Sequence, residues 1–194
     1  MSTVSFSAMA DGTPDDYRLL DELEQVHIAG LPDRILRALS GLSQSLDGYK
    51  IDRLQHSLQS ATRAEADGAD IEWIVAALIH DIGDELAPLN HSQFAAAMIR
   101  PYVRAEVTWV IEMHGLFQMV YYAHHLGQDP NGRDAYRDHP WFERCVNFCE
   151  RWDQASFDPD YPTKPLAYFE PMVREIFSRP AFDPDVIGEP APGA

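Results

Sequence analysis

The chain has 194 residues, 45% of them hydrophobic, which is enough for one well-packed domain and too few to expect two. Its formal charge of −16 argues against nucleic acid or an anionic membrane surface as a partner, so we expect a small-molecule substrate. Two cysteines, and no recognisable signal peptide or membrane span, predict a cytoplasmic protein with reduced thiols and leave the oligomeric state open.

Helical patterns follow one another along the chain, and they predict an all-α domain over residues 21–180. Residues 1–20 are expected to form a flexible arm and residues 181–194 a tail rich in proline and glycine. Asp52, Asp70 and Asn90 are predicted helix N-caps, and Gly68 and Gly115 are predicted stops. The predicted helical segments are 31–45, 53–67, 71–82, 91–98, 104–114, 116–126, 140–153 and 168–178.

Two adjacent polar residues, His80 and Asp81, end the apolar run at 74–79. Polar side chains in such a setting need buried partners. Each neighbouring helical segment offers one at a position that the helical period turns inward. A single inward histidine is usually a hydrogen-bonded core residue, and a single aspartate can be a buried ion-pair partner. The full ordered set favours a metal site instead: His56, His80, Asp81, His91, His114 and Asp153.

The composition of this set indicates which metal it would hold. Six histidine and carboxylate ligands without cysteine do not suit a closed tetrahedral zinc site. They suit two octahedral first-row ions, iron or manganese, that keep open positions for water, dioxygen or substrate. Asp81 is the predicted bridging ligand. His56, His80 and Asp153 are assigned with it to one ion, and His91 and His114 with it to the other.

Other polar or sulfur-containing residues give weaker signals. Cys145 and Cys149 stand four residues apart but belong to an apolar stripe, so they are predicted to be core thiols. His124 and His125 follow two tyrosines near a helix end, where a surface or capping role is favoured. No serine or cysteine has the setting of a triad nucleophile.

The ligand-bearing segments resemble a known family. The stretch 55–60 (QHSLQS), the stretch 76–83 (AALIHDIG), His91, His114 and Trp152-Asp153 resemble the mixed-valence di-iron oxygenases of the HD-domain superfamily, which are relatives of myo-inositol oxygenase active in organophosphonate breakdown. The resemblance covers about residues 49–155. It implies an HD-domain helical bundle with an Fe(II)/Fe(III) pair in its core. It also implies dioxygen as co-substrate and oxidative cleavage of the C–P bond of a 1-hydroxyalkylphosphonate.

The chain departs from that family at several positions expected near the substrate. Tyr49 stands seven residues before His56 without a nearby glutamate. Asp84, Gln118 and Glu150 replace a histidine, a lysine and an arginine of the aminoethylphosphonate-type enzyme. The predicted substrate contacts are Tyr49, Gln59, Asp84, Gln118 and Arg151.

The lost positive charge fits a substrate with a cationic amino or trimethylammonio group. Phe117, Tyr121 and Tyr122 could hold such a group by cation–π contacts, although helix packing explains these aromatics equally well. Two alternatives to the oxygenase stay open. One is an HD-type phosphohydrolase acting on a nucleotide or phosphate ester, for which manganese would serve. The other is a non-catalytic metal-binding regulator, which the complete ligand set disfavours.

Overall fold

The computed structural model describes residues 3–188, and every regular element in that range is helical, which confirms the all-α prediction. Short 3-10 turns join several of the helices. The helices are α1 Pro14–Ala29, α2 Leu31–Gly41, α3 Arg53–Ala66, α4 Ile71–Ile79, α5 His91–Ile99, α6 Ala105–Tyr122, α7 Phe142–Phe148, α8 Leu166–Phe177 and α9 Pro184–Ile187.

Helix α4 lies at the centre of the bundle. It packs most extensively against α3, and it also contacts α6 and α8. Residues 75–79 are fully buried, as expected for a helix that is apolar on all sides. The axis of α4 runs through the core. The two polar residues that follow this helix, His80 and Asp81, are therefore buried in the interior.

Side-chain caps fix the start of the two helices that lead to the site. The Asp52 carboxylate accepts the backbone N–H of Gln55, and the Asp70 carboxylate accepts those of Glu72 and Trp73. Both caps were predicted. Asn90 is the N-cap residue of α5, as predicted, although its side chain makes no capping hydrogen bond within the described part of the chain.

The predicted stop at Gly115 was wrong, because α6 runs through this residue without a break to Tyr122. A β-carbon at Gly115 would lie 2.6 Å from the Ser92 Oγ, so the glycine serves the close approach of α5 and α6. The predicted helix 140–153 is divided: α7 ends at Phe148, and a single π-helical turn, Cys149–Asp153, follows.

Both ends of the described chain are more regular than predicted. Helix α1 begins at Pro14, inside the expected arm, because Thr13 and Asp16 form a reciprocal capping box. Helix α9 lies inside the expected tail and buries Ile187; the remainder of that tail, 189–194, lies outside the described residues. Within residues 3–188, no helix combines the length and apolarity needed to cross a bilayer.

Candidate metal centre

Four histidines from four different helical segments converge in the core. In each, Nδ1 faces a backbone carbonyl, so Nδ1 carries the proton and Nε2 keeps a free lone pair. The four Nδ1-to-oxygen distances are 2.9 Å for His56 to Ser156, 2.7 Å for His80 to Ala77, 2.6 Å for His114 to Ile111 and 3.4 Å for His91 to Pro88. All four Nε2 atoms point to the same region, where the carboxylates of Asp81 and Asp153 lie.

The two carboxylate oxygens of Asp81 face different histidine pairs. Its Oδ2 lies 3.2 Å from the Nε2 atoms of both His56 and His80. Its Oδ1 lies 3.4 Å from the Nε2 atoms of both His91 and His114. Two ligands at right angles around an ion about 2.1 Å away stand roughly 3 Å apart, so these spacings suit coordination. Asp81 therefore stands between two adjacent groups of donors, as the bridging assignment expects.

Asp153 approaches the first of these groups from the π-helical turn. Its Oδ1 lies 3.3 Å from the His56 Nε2 and 3.5 Å from the His80 Nε2. Its Oδ2 is buried and has no hydrogen-bond partner among the described residues. A buried carboxylate oxygen without a partner is costly unless a cation binds it. Single π-turns are frequent at functional sites, because the extra residue turns a side chain to a direction that an α-helix would not allow.

The buried ionisable groups of the site interact strongly with one another. Burial alone would lower the pKa of His80, but the charges of Asp81 and Asp153 raise that pKa well above its ordinary value. Burial alone would raise the pKa of Asp81, yet the charges of His80 and Arg53 hold it well below the usual range.

The two nitrogens His56 Nε2 and His80 Nε2 are only 3.0 Å apart, although the Nδ1 atom of each ring already holds the proton. Only an imidazolium or a bound cation makes this contact favourable. With six convergent donors, the residues present fit metal ions.

Gly83 lets His91 reach this group, because a β-carbon at Gly83 would lie 2.9 Å from the His91 Cα. His91 is also the most exposed of the four converging histidines, with 27% of its side chain accessible. The second donor group therefore lies at the edge of the core and faces a cavity.

This cavity has a volume of about 370 Å³ and lies directly over the metal donors. Aromatic rings form much of its wall: Tyr49, Tyr121, Tyr122 and Phe157. Phe157 stacks on the His56 ring at 4.3 Å between centroids, and Tyr49 stacks on Phe157 at 4.9 Å. The cavity is thus closed on one side by a continuous aromatic stack that begins at a metal donor.

The predicted substrate contacts are placed differently from one another. Tyr49 and Gln118 line the cavity. The Gln59 amide donates to the Asp158 backbone carbonyl at 2.6 Å, and Arg151 pairs with Asp67 at 2.8 Å; neither side chain lines the cavity. Contact of any of these residues with a substrate stays a prediction.

Arg53 is the functional residue that the sequence reasoning missed. Its Nη2 donates to the Oδ2 of Asp81, and its Nε donates to the Oδ2 of Asp84 at 2.7 Å. It is also the one lysine or arginine among the cavity-lining residues. The available signal was its position three residues before His56, which places both side chains on one face of α3.

This contact changes the interpretation of Asp84. The prediction placed its carboxylate where it would attract a cationic substrate group, but that carboxylate is already paired with the Arg53 guanidinium. Asp84 does not line the metal cavity, and it lines a neighbouring surface cavity of about 520 Å³ instead. The premise that Asp84 is a free anionic site was therefore wrong.

The remaining candidates are packing residues. Phe117 is fully buried and packs against Phe142, with ring centroids 5.2 Å apart, so it is part of the core. The Cys145 and Cys149 thiols are buried and donate to the Val110 and His114 carbonyls. Burial raises the pKa of Cys149 well above its usual value, so the thiol is unreactive.

A comparison with protein families matches residues 53–144 to the HD domain. This segment is an HD domain. The matched segment contains the four histidines and Asp81, and Asp153 follows it on the π-helical turn. A search of curated proteins finds none that matches the chain. Together with the convergent donors, the family match identifies a metal-dependent HD-domain enzyme whose buried histidines and aspartates suit a dinuclear site.

Proposed function

We propose that this HD-domain enzyme is a di-iron oxygenase that cleaves the C–P bond of a 1-hydroxyalkylphosphonate. One substrate and one dioxygen would give one carboxylate and one phosphate. The carbon that bears the hydroxyl is oxidised as its bond to phosphorus breaks, and dioxygen takes the electrons, so no other reductant or oxidant is needed.

The proposal depends mainly on the position of the Asp81 carboxylate. Its Oδ2 faces one pair of histidines and its Oδ1 faces the other pair. A carboxylate shared by two histidine-rich donor groups suits a coupled iron pair, and the HSLQ segment beginning at His56 resembles the oxygenases in particular. Bound there, an Fe(II)/Fe(III) pair would supply dioxygen activation and open positions for the substrate hydroxyl and phosphonate.

The chain's own residues would prepare that chemistry. Asp81 and Asp153 offset the charge of the ions, and the backbone carbonyls fix the histidine tautomers. The aromatic wall formed by Tyr49 and Phe157 restricts water beside the donors. Gln118 and Gln154 line the same cavity and can hydrogen-bond the polar groups of a substrate.

A cationic group on the substrate remains part of the proposal, but on a different basis. Tyr121 and Tyr122 both line the cavity and are partly exposed. Their rings can hold an ammonium or trimethylammonio group by cation–π contact. This assignment replaces the one that relied on Asp84.

A metal-dependent phosphohydrolase is the second candidate. It is favoured by the same shared carboxylate, because two ions side by side can hold the attacking water and the phosphoryl oxygens of a phosphate ester. Against it stands the scarcity of cations at the cavity, where Arg53 is already paired with two carboxylates.

The deciding experiment compares phosphate release with and without dioxygen. Iron-loaded protein, prepared anaerobically, is given a 1-hydroxyphosphonate with an amino or trimethylammonio group and, separately, a set of nucleotides and phosphate esters. We expect phosphate release from the phosphonate only in air, with one dioxygen consumed per phosphate. Release from an ester under strict anaerobiosis, with no dioxygen-dependent turnover of any phosphonate, would favour the hydrolase instead.

A further inference from the structure

Arg53 occupies an unusual position beside the metal donors. It is only 8% exposed and is the first residue of α3, one turn before His56. The two donors on one edge of its guanidinium are divided between two carboxylates, Asp81 and Asp84. An arginine usually donates two parallel hydrogen bonds to a single carboxylate. Here the two donors bind different carboxylates, so Arg53 fixes the two aspartate side chains relative to each other.

The two carboxylates that Arg53 joins are three residues apart in the turn that follows α4. The backbone N–H of Asp84 donates to the Asp81 carbonyl at 3.0 Å, which places both side chains on the same side of this turn. Arg53 therefore links the start of α3 to the turn that carries the bridging ligand. Tyr49 covers the guanidinium from the outer side, with the Arg53 Cζ 5.5 Å from its ring centroid.

The second carboxylate extends this link to His91. The Asp84 Oδ1 lies 3.8 Å from the His91 Nδ1, within ion-pair range though beyond a direct hydrogen bond. The contact of that nitrogen with the Pro88 carbonyl is the longest of the four histidine–carbonyl contacts, at 3.4 Å. Of the four histidines at the site, His91 thus has the longest contact with a backbone carbonyl. The Asp84 carboxylate, which Arg53 holds, lies close to it.

We propose that Arg53 is a positioning residue for the second ion: through Asp81 and Asp84 it fixes the bridging carboxylate and His91 together, and so determines the affinity of the His91–His114 site. It acts through the ligands and does not itself hold the metal. The inference rests on the dinuclear site and is independent of whether the enzyme is an oxygenase or a hydrolase.

The test measures metal binding, so it does not depend on the reaction. Metal-free full-length protein is titrated with Mn(II), and binding is followed by calorimetry and by electron paramagnetic resonance, which detects coupling between neighbouring ions. The variants are Arg53→Lys and the double variant Arg53→Met with Asp84→Asn, which avoids leaving Asp84 unpaired in a buried setting. Arg63→Met is the control, because Arg63 lies on the same helix but stacks on Tyr161 away from the cavity.

Loss of ligand support of this kind typically costs about 10–100-fold in metal affinity. We expect the double variant to bind the second ion about 10–100-fold more weakly and to lose the coupled signal. Affinity for the first ion should fall less, because Asp153 also holds that ion while Arg53 contacts the Asp81 oxygen on its side. Arg53→Lys, with a single donor group, should lie between it and the wild type, and Arg63→Met should match the wild type. Two tightly bound, coupled ions in both Arg53 variants, or equal weakening of both ions, would overturn the proposal.

Discussion

At the residue scale, the most consequential side chain is Asp81, whose two oxygens serve different histidine pairs. We expect Asp81→Ala to abolish binding of both ions, because each donor group loses an oxygen ligand. His114→Ala should mainly deplete the ion that His91 and His114 would hold. Metal analysis of anaerobically purified variants measures this directly, with the exposed Asp160→Ala as a control that keeps two ions per chain. Full occupancy in Asp81→Ala would rule out the bridging assignment.

Under the proposed function, Tyr121 and Tyr122 are expected to select the substrate, because Asp84 is paired with Arg53. We expect Tyr122→Leu to lower the ratio of kcat/KM for a cationic over a neutral hydroxyphosphonate by about 2–5-fold, the range of an exposed cation–π contact. Tyr122→Phe keeps the ring and should keep the ratio. Steady-state assays with matched analogues provide the comparison. A ratio that is unchanged in Tyr122→Leu would remove the basis for the cationic group.

Individual residues differ in how visible their roles were in the sequence. The convergence of the six histidines and aspartates could be predicted, because polar residues on inward helix faces require partners; their role as metal ligands stays a prediction. The role of Arg53 could not be predicted, because the first turn of a helix is an ordinary place for an arginine. Only the three-dimensional approach of α3 to the turn after α4 shows that Asp81 and Asp84 surround its guanidinium.

At the element scale, the turn after α4 makes a close backbone contact with the start of α5. A β-carbon at Gly83 would lie 2.9 Å from the His91 Cα and 3.0 Å from its carbonyl oxygen, so the backbone has to move. We expect Gly83→Ala to lower the free energy of unfolding by about 1–3 kcal/mol and to weaken binding of the second ion.

Gly41→Ala provides the matched control for that variant, since nothing lies within 4 Å of the added carbon at the end of α2. Denaturant unfolding and metal titration should leave this control at or slightly above wild-type stability. Equal behaviour of the two variants would show that the contact between this turn and α5 tolerates the displacement, and the account of His91 placement would then be wrong.

Helix α1 allows a test of acid sensitivity. Hydrogen bonds from the Thr13 side chain and the Ser5 backbone N–H hold the pKa of Asp16 well below its usual range. A carboxylate whose pKa is lower in the folded state stabilises above its unfolded pKa, and the contribution disappears as pH falls through the folded value. Asp16→Asn should therefore speed amide exchange in α1 at neutral pH and differ less from wild type in strong acid.

Asp15→Asn is the control in the same turn, because Asp15 pairs only with Arg18 at the surface, where ion pairs contribute little. Amide exchange followed by mass spectrometry resolves α1 from the rest of the chain. If the two variants accelerate exchange equally, the capping box does not hold the start of this helix.

The helix boundaries show why element prediction failed at particular places. Asp52 and Asp70 act as the predicted caps, since an aspartate before an apolar periodic segment has an unambiguous physical role. Gly115 led to a wrong helix end, because a glycine is needed there for close contact with Ser92 and not to end the helix. Only the packing reveals this contact. The π-helical turn that ends at Asp153 has no sequence signature of its own, although the inward direction of Asp153 was predicted correctly.

At the scale of the whole molecule, the donors come from five segments of the bundle, α3, the ends of α4 and α7, and α5 and α6. Metal binding therefore links most of the helices, and any ion that binds only the folded state stabilises it. The single helical domain was predictable from the length and the hydrophobic periodicity of the chain. The outer boundaries of the domain were harder to predict, since α1 begins inside the expected arm and α9 lies inside the expected tail. The domain limits 21–180 stay a prediction.

The central claim is that a single carboxylate bridges two iron ions in the core of this bundle. The most direct measurement is electron paramagnetic resonance of anaerobically iron-loaded protein after partial oxidation, together with the iron content per chain. We predict two irons per chain and a coupled Fe(II)/Fe(III) signal that changes when a 1-hydroxyphosphonate is added and is absent from Asp81→Ala. One iron per chain, or two irons that give only the signal of isolated Fe(III), would contradict the account.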